Sequence, residues 1–121
     1  MPYVDGFVLV VPRRKLPAYK KMAQKAGKIW REFGALEYRE CVGVDLKAPF
    51  GLPFPKLTKL KAGEAVVFAW ITYRSKGQRD RITKRVMEDP RLAKMMDPAS
   101  MPFDMRRMSY GGFKMMVDLH G

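Results

Sequence analysis

Residues 64–73 read EAVVFAWITY, a run in which apolar side chains occupy odd and even positions alike. A strand with one face in water alternates between apolar and polar residues, whereas a strand buried on both faces does not. This stretch therefore predicts a strand inside a sheet that is covered on both sides. Tyr3–Val11 (YVDGFVLVV) has the same character and stops at Pro12, so it predicts the first strand of the same sheet.

A helix, a second strand and a long loop are predicted between these two strands. The apolar residues of Arg14–Phe33 recur every three or four positions, which predicts an amphipathic helix that ends at Gly34. Leu36–Leu46 alternates and predicts the second strand, with Glu40 as a charged exception on its inward-facing side. Lys47–Gly63 is rich in proline and glycine, so we expect a loop that is either functional or braced by other residues.

Beyond residue 73 the pattern predicts two helices, an irregular segment and a last strand. Ser75 and Gln78 have the spacing of a capping box, which predicts the start of the second helix. The remaining predicted elements are a short helix at Arg91–Met96, an irregular segment at Met101–Arg106 and a strand at Met108–Val117.

The resulting order, βαββαβ, predicts a single α+β domain spanning residues 1–121. This order is typical of the ferredoxin-like fold, a four-stranded antiparallel sheet with helices on one face. The other face stays apolar, because large apolar side chains fall on both parities of the first, third and fourth strands. Such a face requires a cover, and the simplest one is a second copy related by a two-fold axis. We therefore expect a homodimer.

The composition excludes some classes of protein and leaves others open. Lys and Arg number 24 against 12 Asp and Glu, and the net charge of +12 can attract nucleic acid, acidic membranes or anionic metabolites, although a solvated surface is the simpler interpretation. No apolar run approaches the ~20 residues of a membrane span, and no secretion signal is visible, so we expect a cytoplasmic protein. With one cysteine, Cys41, and one histidine, His120, we expect no disulfide, metal site or cofactor.

Several residues in or beside the predicted strands are candidates for a ligand site. They are Asp5, Glu40, Cys41, Trp70, Asp104, Arg107 and Tyr110. In a functional interpretation, a small and partly apolar ligand lies between the sheet and the helices. Trp70 and Tyr110 would form its walls, Arg107 would pair with an anionic group, and Asp5 or Glu40 would act as a base.

A structural interpretation explains the same residues without a ligand. Asp5 would pair with Arg107 on a neighbouring strand, Asp104 would cap the turn before the last strand, and Cys41 would be a small buried residue. Glycine-rich phosphate loops and serine-hydrolase motifs are missing from the sequence, so nucleotide hydrolysis and serine-hydrolase chemistry have no support.

Several segments resemble the YbaA-like family of small bacterial proteins, over nearly the whole chain. The segments that carry the resemblance include Tyr3–Val8 (YVDGFV), Glu32–Leu36 (EFGAL), Glu40-Cys41, Val66–Ile71 (VVFAWI), Asp89–Arg91 (DPR), Met101–Asp104 (MPFD) and Tyr110–Phe113 (YGGF). The family is a domain of unknown function in the dimeric α/β-barrel superfamily, beside cofactor-free monooxygenases, haem-degrading enzymes and ligand-binding stress proteins. The resemblance implies a homodimer and no single reaction. The Lys47–Gly63 loop is more basic and richer in proline than the family pattern leads us to expect.

Three classes of function stay open. The first, which the fold-level analogy favours, is a dimeric small-molecule-binding protein or a cofactor-free oxygenase-like enzyme, with a cavity of roughly 300 Å³ or more lined by Trp70. The second is nucleic-acid binding through the basic surface, with Lys56, Lys59 and Lys61 as the contacts. It is less favoured, because the sheet face that RNA-binding proteins of this type use is expected to be covered. The third is an interaction module that docks an acidic partner on its basic helices.

Overall fold

A computed structural model describes residues 1–120, within which the chain forms four strands and four α-helices, besides three short 3-10 helices. The strands are β1 (Tyr3–Pro12), β2 (Glu37–Val42), β3 (Glu64–Tyr73) and β4 (Ser109–Lys114). The helices are α1 (Leu16–Glu32), α2 (Phe54–Leu57), α3 (Lys76–Met87) and α4 (Pro90–Met95). Across this range, no helix has the length and apolar character needed to cross a membrane.

The four strands form one antiparallel sheet in the order β2-β3-β1-β4. The central strands β1 and β3 pair along their whole length, from Tyr3 opposite Tyr73 to Pro12 opposite Glu64. β2 and β4 are the two edges. The predicted ferredoxin-like arrangement is confirmed, and the two apolar runs that predicted buried strands occupy its centre.

Both edge strands are shorter than the sequence predicted. Past β4 the chain runs beyond the start of β1, and the last backbone bond on this edge joins the Met115 N–H to the Pro2 carbonyl at 3.0 Å. Past β2, the Gly43 N–H still donates to the Val66 carbonyl at 2.8 Å, and then the chain turns away from β3. The predicted extensions to residues 46 and 117 are therefore wrong, because pairing requires a neighbouring strand as well as a pattern.

Helices α1, α3 and α4 cover the face of the sheet that carries the odd-numbered side chains of β1 and β3. One buried cluster joins Leu9 and Val67 of the sheet to Tyr19 of α1. A second joins Tyr73, which is fully buried, to Val86 of α3. Burying each large side chain of this kind contributes roughly 1.5–3 kcal/mol, so the contacts between the helices and the sheet stabilise the fold.

The opposite face of the sheet is only partly covered by the same chain. Phe54 of α2 packs against Phe68 with the ring centroids 6.4 Å apart, so part of the predicted loop lies on this face. Phe68 nevertheless stays 45% exposed and Phe113 stays 58% exposed. The structure therefore leaves large aromatic side chains uncovered on the face that carries no long helix.

The predicted helix boundaries follow from local hydrogen bonds. The Ser75 hydroxyl accepts from the Gln78 N–H at 3.0 Å, while the Gln78 side chain accepts from the Arg74 N–H at 2.6 Å. Gly34 follows α1 with a φ of 114°, a conformation that side chains with a Cβ rarely adopt. The predicted start of α3 and the predicted end of α1 are both confirmed.

Candidate functional site

A cavity of about 150 Å³ lies between the sheet and the helices. Phe7 of β1 lies on the sheet side, Met22 and Trp30 of α1 form a second wall, and Phe103 and Met108 line it from the segment before β4. A cavity of this volume holds a molecule about the size of benzene. The site is therefore smaller than the roughly 300 Å³ expected from the sequence, and aromatic rings and methionine thioethers dominate its walls.

Glu40 of β2 contributes a carboxylate to the wall of this cavity. It accepts a hydrogen bond of 2.8 Å from the Tyr38 hydroxyl and another from the Tyr19 hydroxyl. Tyr38 precedes Glu40 by two residues and so shares its face of the strand. Burial and then the negative charge of Glu40 raise the pKa of both tyrosines, so both hydroxyls stay protonated and donate.

Glu40 has no cationic partner in residues 1–120, where it takes part in none of the ion pairs. Its neighbour Arg39 lies on the other face of β2 and pairs with Glu37 at 3.3 Å. A carboxylate has about four acceptor positions, and the tyrosine hydroxyls use two of them. The half-buried Glu40 side chain can therefore accept further hydrogen bonds from a molecule in the cavity.

The close approach of α1 to β2 positions these side chains, and it depends on Gly27. A Cβ at residue 27 would lie 2.6 Å from Cδ1 of the Tyr38 ring, a distance that real Cβ atoms do not show. On its other side, the Tyr38 ring lies 6.2 Å from the Trp30 ring, centroid to centroid. The missing side chain at Gly27 therefore lets the helix hold Tyr38, and with it Glu40, against the cavity.

An open groove of about 1300 Å³ runs between α1 and the free edge of β2. Tyr19, Tyr38 and Glu40 line both this groove and the cavity, whereas Lys20 and Lys28 line the groove alone. The three hydrogen-bonded side chains thus form the wall that separates the inner cavity from the outer groove.

A second polar cluster surrounds Asp5, which is buried beneath α3. The Tyr73 hydroxyl donates to Asp5 Oδ2 at 3.1 Å and accepts from Trp30 Nε1 at 3.1 Å. The Arg79 guanidinium lies 3.6 Å from Asp5 Oδ1. The predicted pair between Asp5 and Arg107 is therefore wrong, because α3 brings Arg79 over the start of β1. Asp5 does not line the cavity and is held by contacts within the core.

The Asp5 cluster leads to a prediction about pH and stability. Burial is the largest influence on Asp5 and raises its pKa, although the charge of Arg79 and the bond from Tyr73 oppose the shift. The folded protein then holds a proton on Asp5 more tightly than the unfolded chain. Protonated Asp5 therefore contributes to the free energy of unfolding below its ordinary pKa of 3.8. This contribution is lost as the pH rises through the raised pKa of Asp5 in the folded protein.

Wild type should therefore lose stability relative to Asp5→Asn as the pH rises from about 4 towards 7, by about 1.4 kcal/mol for each unit of pKa shift. Urea unfolding at a series of pH values measures this difference. A difference that stays constant over the range would contradict a raised pKa for Asp5.

The side chains of three other candidates do not enter the cavity. The Cys41 side chain is exposed on the opposite face of the sheet, and the expectation that it is buried is wrong. Trp70 is among the residues that line the cavity, but the register places its side chain on that same opposite face, with its ring 5.6 Å from the Phe68 ring, centroid to centroid. Tyr110 lies on the helix face, stacked on Phe7 at 6.0 Å. The sheet itself separates Trp70 from Tyr110, so the two side chains do not form walls of one site.

Arg107 braces the long loop instead of contacting a ligand. It donates to Glu64 at 2.5 and 3.0 Å and to the Lys59 carbonyl at 3.1 Å. These bonds from Arg107 lower the pKa of Glu64. Asp104 accepts from the Arg106 N–H at 3.0 Å and caps the turn before β4, as the structural interpretation predicted.

Removing the Arg107 guanidinium is expected to loosen this loop. Lys56, Lys59 and Lys61 are exposed there and offer trypsin its cleavage sites. Hydrogen bonds to charged groups contribute about 1.5–3 kcal/mol, so Arg107→Leu should speed cleavage at these lysines roughly ten-fold or more. Mass spectrometry of the fragments follows the rate, and Arg106→Leu serves as the control because Arg106 is exposed. Equal rates in the two variants would show that Arg107 does not brace the loop.

Sequence reasoning placed Glu40 on the inward face but missed Tyr19 and Tyr38 as its partners. The sequence did carry a signal for Tyr38, since residues two apart in a strand share a face and an inward carboxylate needs hydrogen-bond donors. Tyr19 offered no such signal, because its place in the apolar stripe of α1 predicted packing alone. Arg79 was also missed, because nothing in the sequence distinguishes it from the many other cations of its predicted helix.

The fold and the cavity define a ferredoxin-like α+β protein with a small site beneath its helices. The model of a family described as "Protein of unknown function (DUF1428)" matches residues 2–105, and the chain belongs to this family. It is 45% identical over 118 residues to the "Uncharacterized protein YbaA" of Escherichia coli K12, covering 98% of this chain and 99% of that one. The protein of the same name from Shigella flexneri matches with the same identity and coverage. The resemblance seen in the sequence is confirmed.

Solved structures with the same fold are far more distant in sequence. An uncharacterized NIPSNAP domain protein from Burkholderia xenovorans superposes with a TM-score of 0.61 at 16% identity, covering 98% of this chain and 99% of that one. A dimeric ferredoxin-like protein from an uncultured marine organism gives a TM-score of 0.51 at 10% identity, with full coverage of both chains. These similarities establish the fold and do not establish an activity.

Proposed function

We propose that the protein binds a small, largely apolar molecule in the cavity beside Glu40. One observation carries the proposal: a carboxylate held by two tyrosine hydroxyls, without a cation, faces a cavity whose other walls are mainly aromatic rings and thioethers. Binding sites for small molecules are mostly apolar, with a few polar groups that fix the orientation of the ligand. A charged group with unused acceptor positions in such a wall fits that description.

We further propose that the protein acts as a homodimer, with a second copy covering the face opposite the long helices. Exposed Phe68 and Phe113 on that face support the proposal, since apolar patches of this kind on a sheet mark contact surfaces. The ferredoxin-like structure from the uncultured marine organism is a dimeric protein, which is consistent with the proposal. The cavity lies on the other side of the sheet, so binding and association use separate surfaces.

Native mass spectrometry of freshly purified protein tests both proposals. We expect twice the mass of one chain and an additional small molecule, or uptake of one from a fragment library. Ala26 lines the cavity from α1, so Ala26→Leu should fill the space and abolish uptake without changing the mass of the dimer. Ala18→Leu, an exposed change on the same helix, is the control and should bind as wild type does.

Each proposal has its own contrary result. A single copy at micromolar concentration contradicts the homodimer. The binding proposal fails when wild type takes up no fragment, or when Ala26→Leu takes up the same fragments as wild type.

A further inference from the structure

The charge of Glu40 is not balanced within its own surroundings. Tyr19 and Tyr38 donate hydrogen bonds to it, but both are neutral, and burial keeps their protons in place. A carboxylate that is partly removed from water is stabilised far better by a positive charge than by neutral donors. Throughout residues 1–120, no Lys or Arg forms an ion pair with Glu40. The site thus has a negative charge for which the chain supplies no counterpart.

Neither Arg39 nor the lysines of the outer groove forms an ion pair with Glu40. Arg39 is among the residues that line the cavity, but its side chain lies on the other face of β2, where it pairs with Glu37 at 3.3 Å. Lys20 and Lys28 line the outer groove and do not line the cavity. A cation that pairs with Glu40 from the cavity side must therefore come with the ligand.

The remaining walls suit the rest of such a ligand. The rings of Tyr19 and Phe103 meet edge to face at 5.6 Å, and Phe7, Trp30 and Tyr38 add further rings. The faces of aromatic rings attract cations, and methionine sulfur packs favourably on a ligand ring. A wall of rings around a carboxylate therefore fits a positively charged group attached to an apolar body.

We infer that the cavity selects a small protonated amine with a single-ring apolar body, its ammonium group on Glu40 and its ring among the aromatic and thioether side chains. This inference rests on the proposed function and names the class of ligand. The volume of about 150 Å³ limits the body to one ring. A neutral alcohol would leave the charge of Glu40 unbalanced, and an anion would be repelled by it. The net charge of +12 opposes the binding of amines only weakly, because salt screens surface charges that lie more than about 8 Å away.

Four probes of nearly equal size test the inference: benzylamine, benzyl alcohol, toluene and benzoate. Titrations near pH 7, followed by protein NMR, give the dissociation constant of each. We expect benzylamine to bind at least ten-fold more tightly than benzyl alcohol or toluene, and benzoate to bind the weakest. Glu40→Gln keeps the size of the side chain and an oxygen for the tyrosine hydroxyls, and it should abolish the preference for benzylamine over benzyl alcohol.

Glu32→Gln is the matched control, because Glu32 is an exposed carboxylate that lines the outer groove. It should leave the preference for benzylamine unchanged. Benzyl alcohol binding as tightly as benzylamine overturns the amine inference but leaves a small-molecule site in place. Loss of the preference in Glu32→Gln also overturns it, since the amine would then bind in the groove. If no probe binds and the fragment library also gives no ligand, the proposed function itself is wrong.

Discussion

Phe68→Glu is expected to convert the proposed dimer into single copies at micromolar concentration. Phe68 projects from the face of β3 that carries no long helix and is 45% exposed in one chain. In a two-fold dimer the substitution places two carboxylates in one apolar contact. Removing an unpaired charge from water costs several kcal/mol, and a loss of ~4 kcal/mol raises the dissociation constant about a thousand-fold. Sedimentation velocity over a range of concentrations measures the change.

Tyr110→Glu is the matched control for this change. Tyr110 is also an aromatic residue of the sheet and is 73% exposed, but it lies on the helix face, stacked on Phe7. It should leave the mass of the assembly unchanged. Circular dichroism verifies that both variants keep their secondary structure. If Phe68→Glu sediments as a dimer with the affinity of wild type, the face opposite the helices is not the surface on which two copies meet.

The fold could be predicted because its signals are local in the sequence. Apolar residues on both parities of residues 64–73 require cover on both faces, and the three-to-four spacing in Arg14–Phe33 places the helix that supplies one cover. The ends of the edge strands could not be predicted, because they depend on where another strand stops. Met115 leaves the sheet because β1 offers no partner past Pro2.

The candidate site could be predicted only in part, because its contacts join distant residues. The inward direction of Glu40 follows from the alternation of one strand, and the structure agrees. Its bond to Tyr19 spans 21 positions and depends on how α1 is rotated over the sheet. Trp70 and Tyr110 were assigned to one cavity because the strand register was unknown. Once each strand is aligned with β1, their side chains fall on opposite faces.

Removing both tyrosine hydroxyls from Glu40 is expected to destabilise the protein strongly. In Tyr19→Phe/Tyr38→Phe the carboxylate keeps its place in the wall but loses both donors. Hydrogen bonds to a charged group contribute about 1.5–3 kcal/mol each, and the half-buried Glu40 loses two of them. The double variant should therefore lose about 3 kcal/mol or more in the free energy of unfolding, measured by urea denaturation at pH 7.

Adding Glu40→Leu to the double variant distinguishes two causes of instability: the loss of donors to the Glu40 carboxylate and poorer packing of the rings. Replacing both partners of a buried hydrogen bond by apolar groups is close to neutral, so the triple variant should regain most of the lost stability. If the double variant were unstable because the rings at positions 19 and 38 packed less well, adding Glu40→Leu would not restore stability, since these rings are the same in both variants. If the triple variant is as unstable as the double variant, the hydroxyls stabilise the fold through contacts other than Glu40. The unbalanced carboxylate would then no longer be the reason to expect a positively charged ligand.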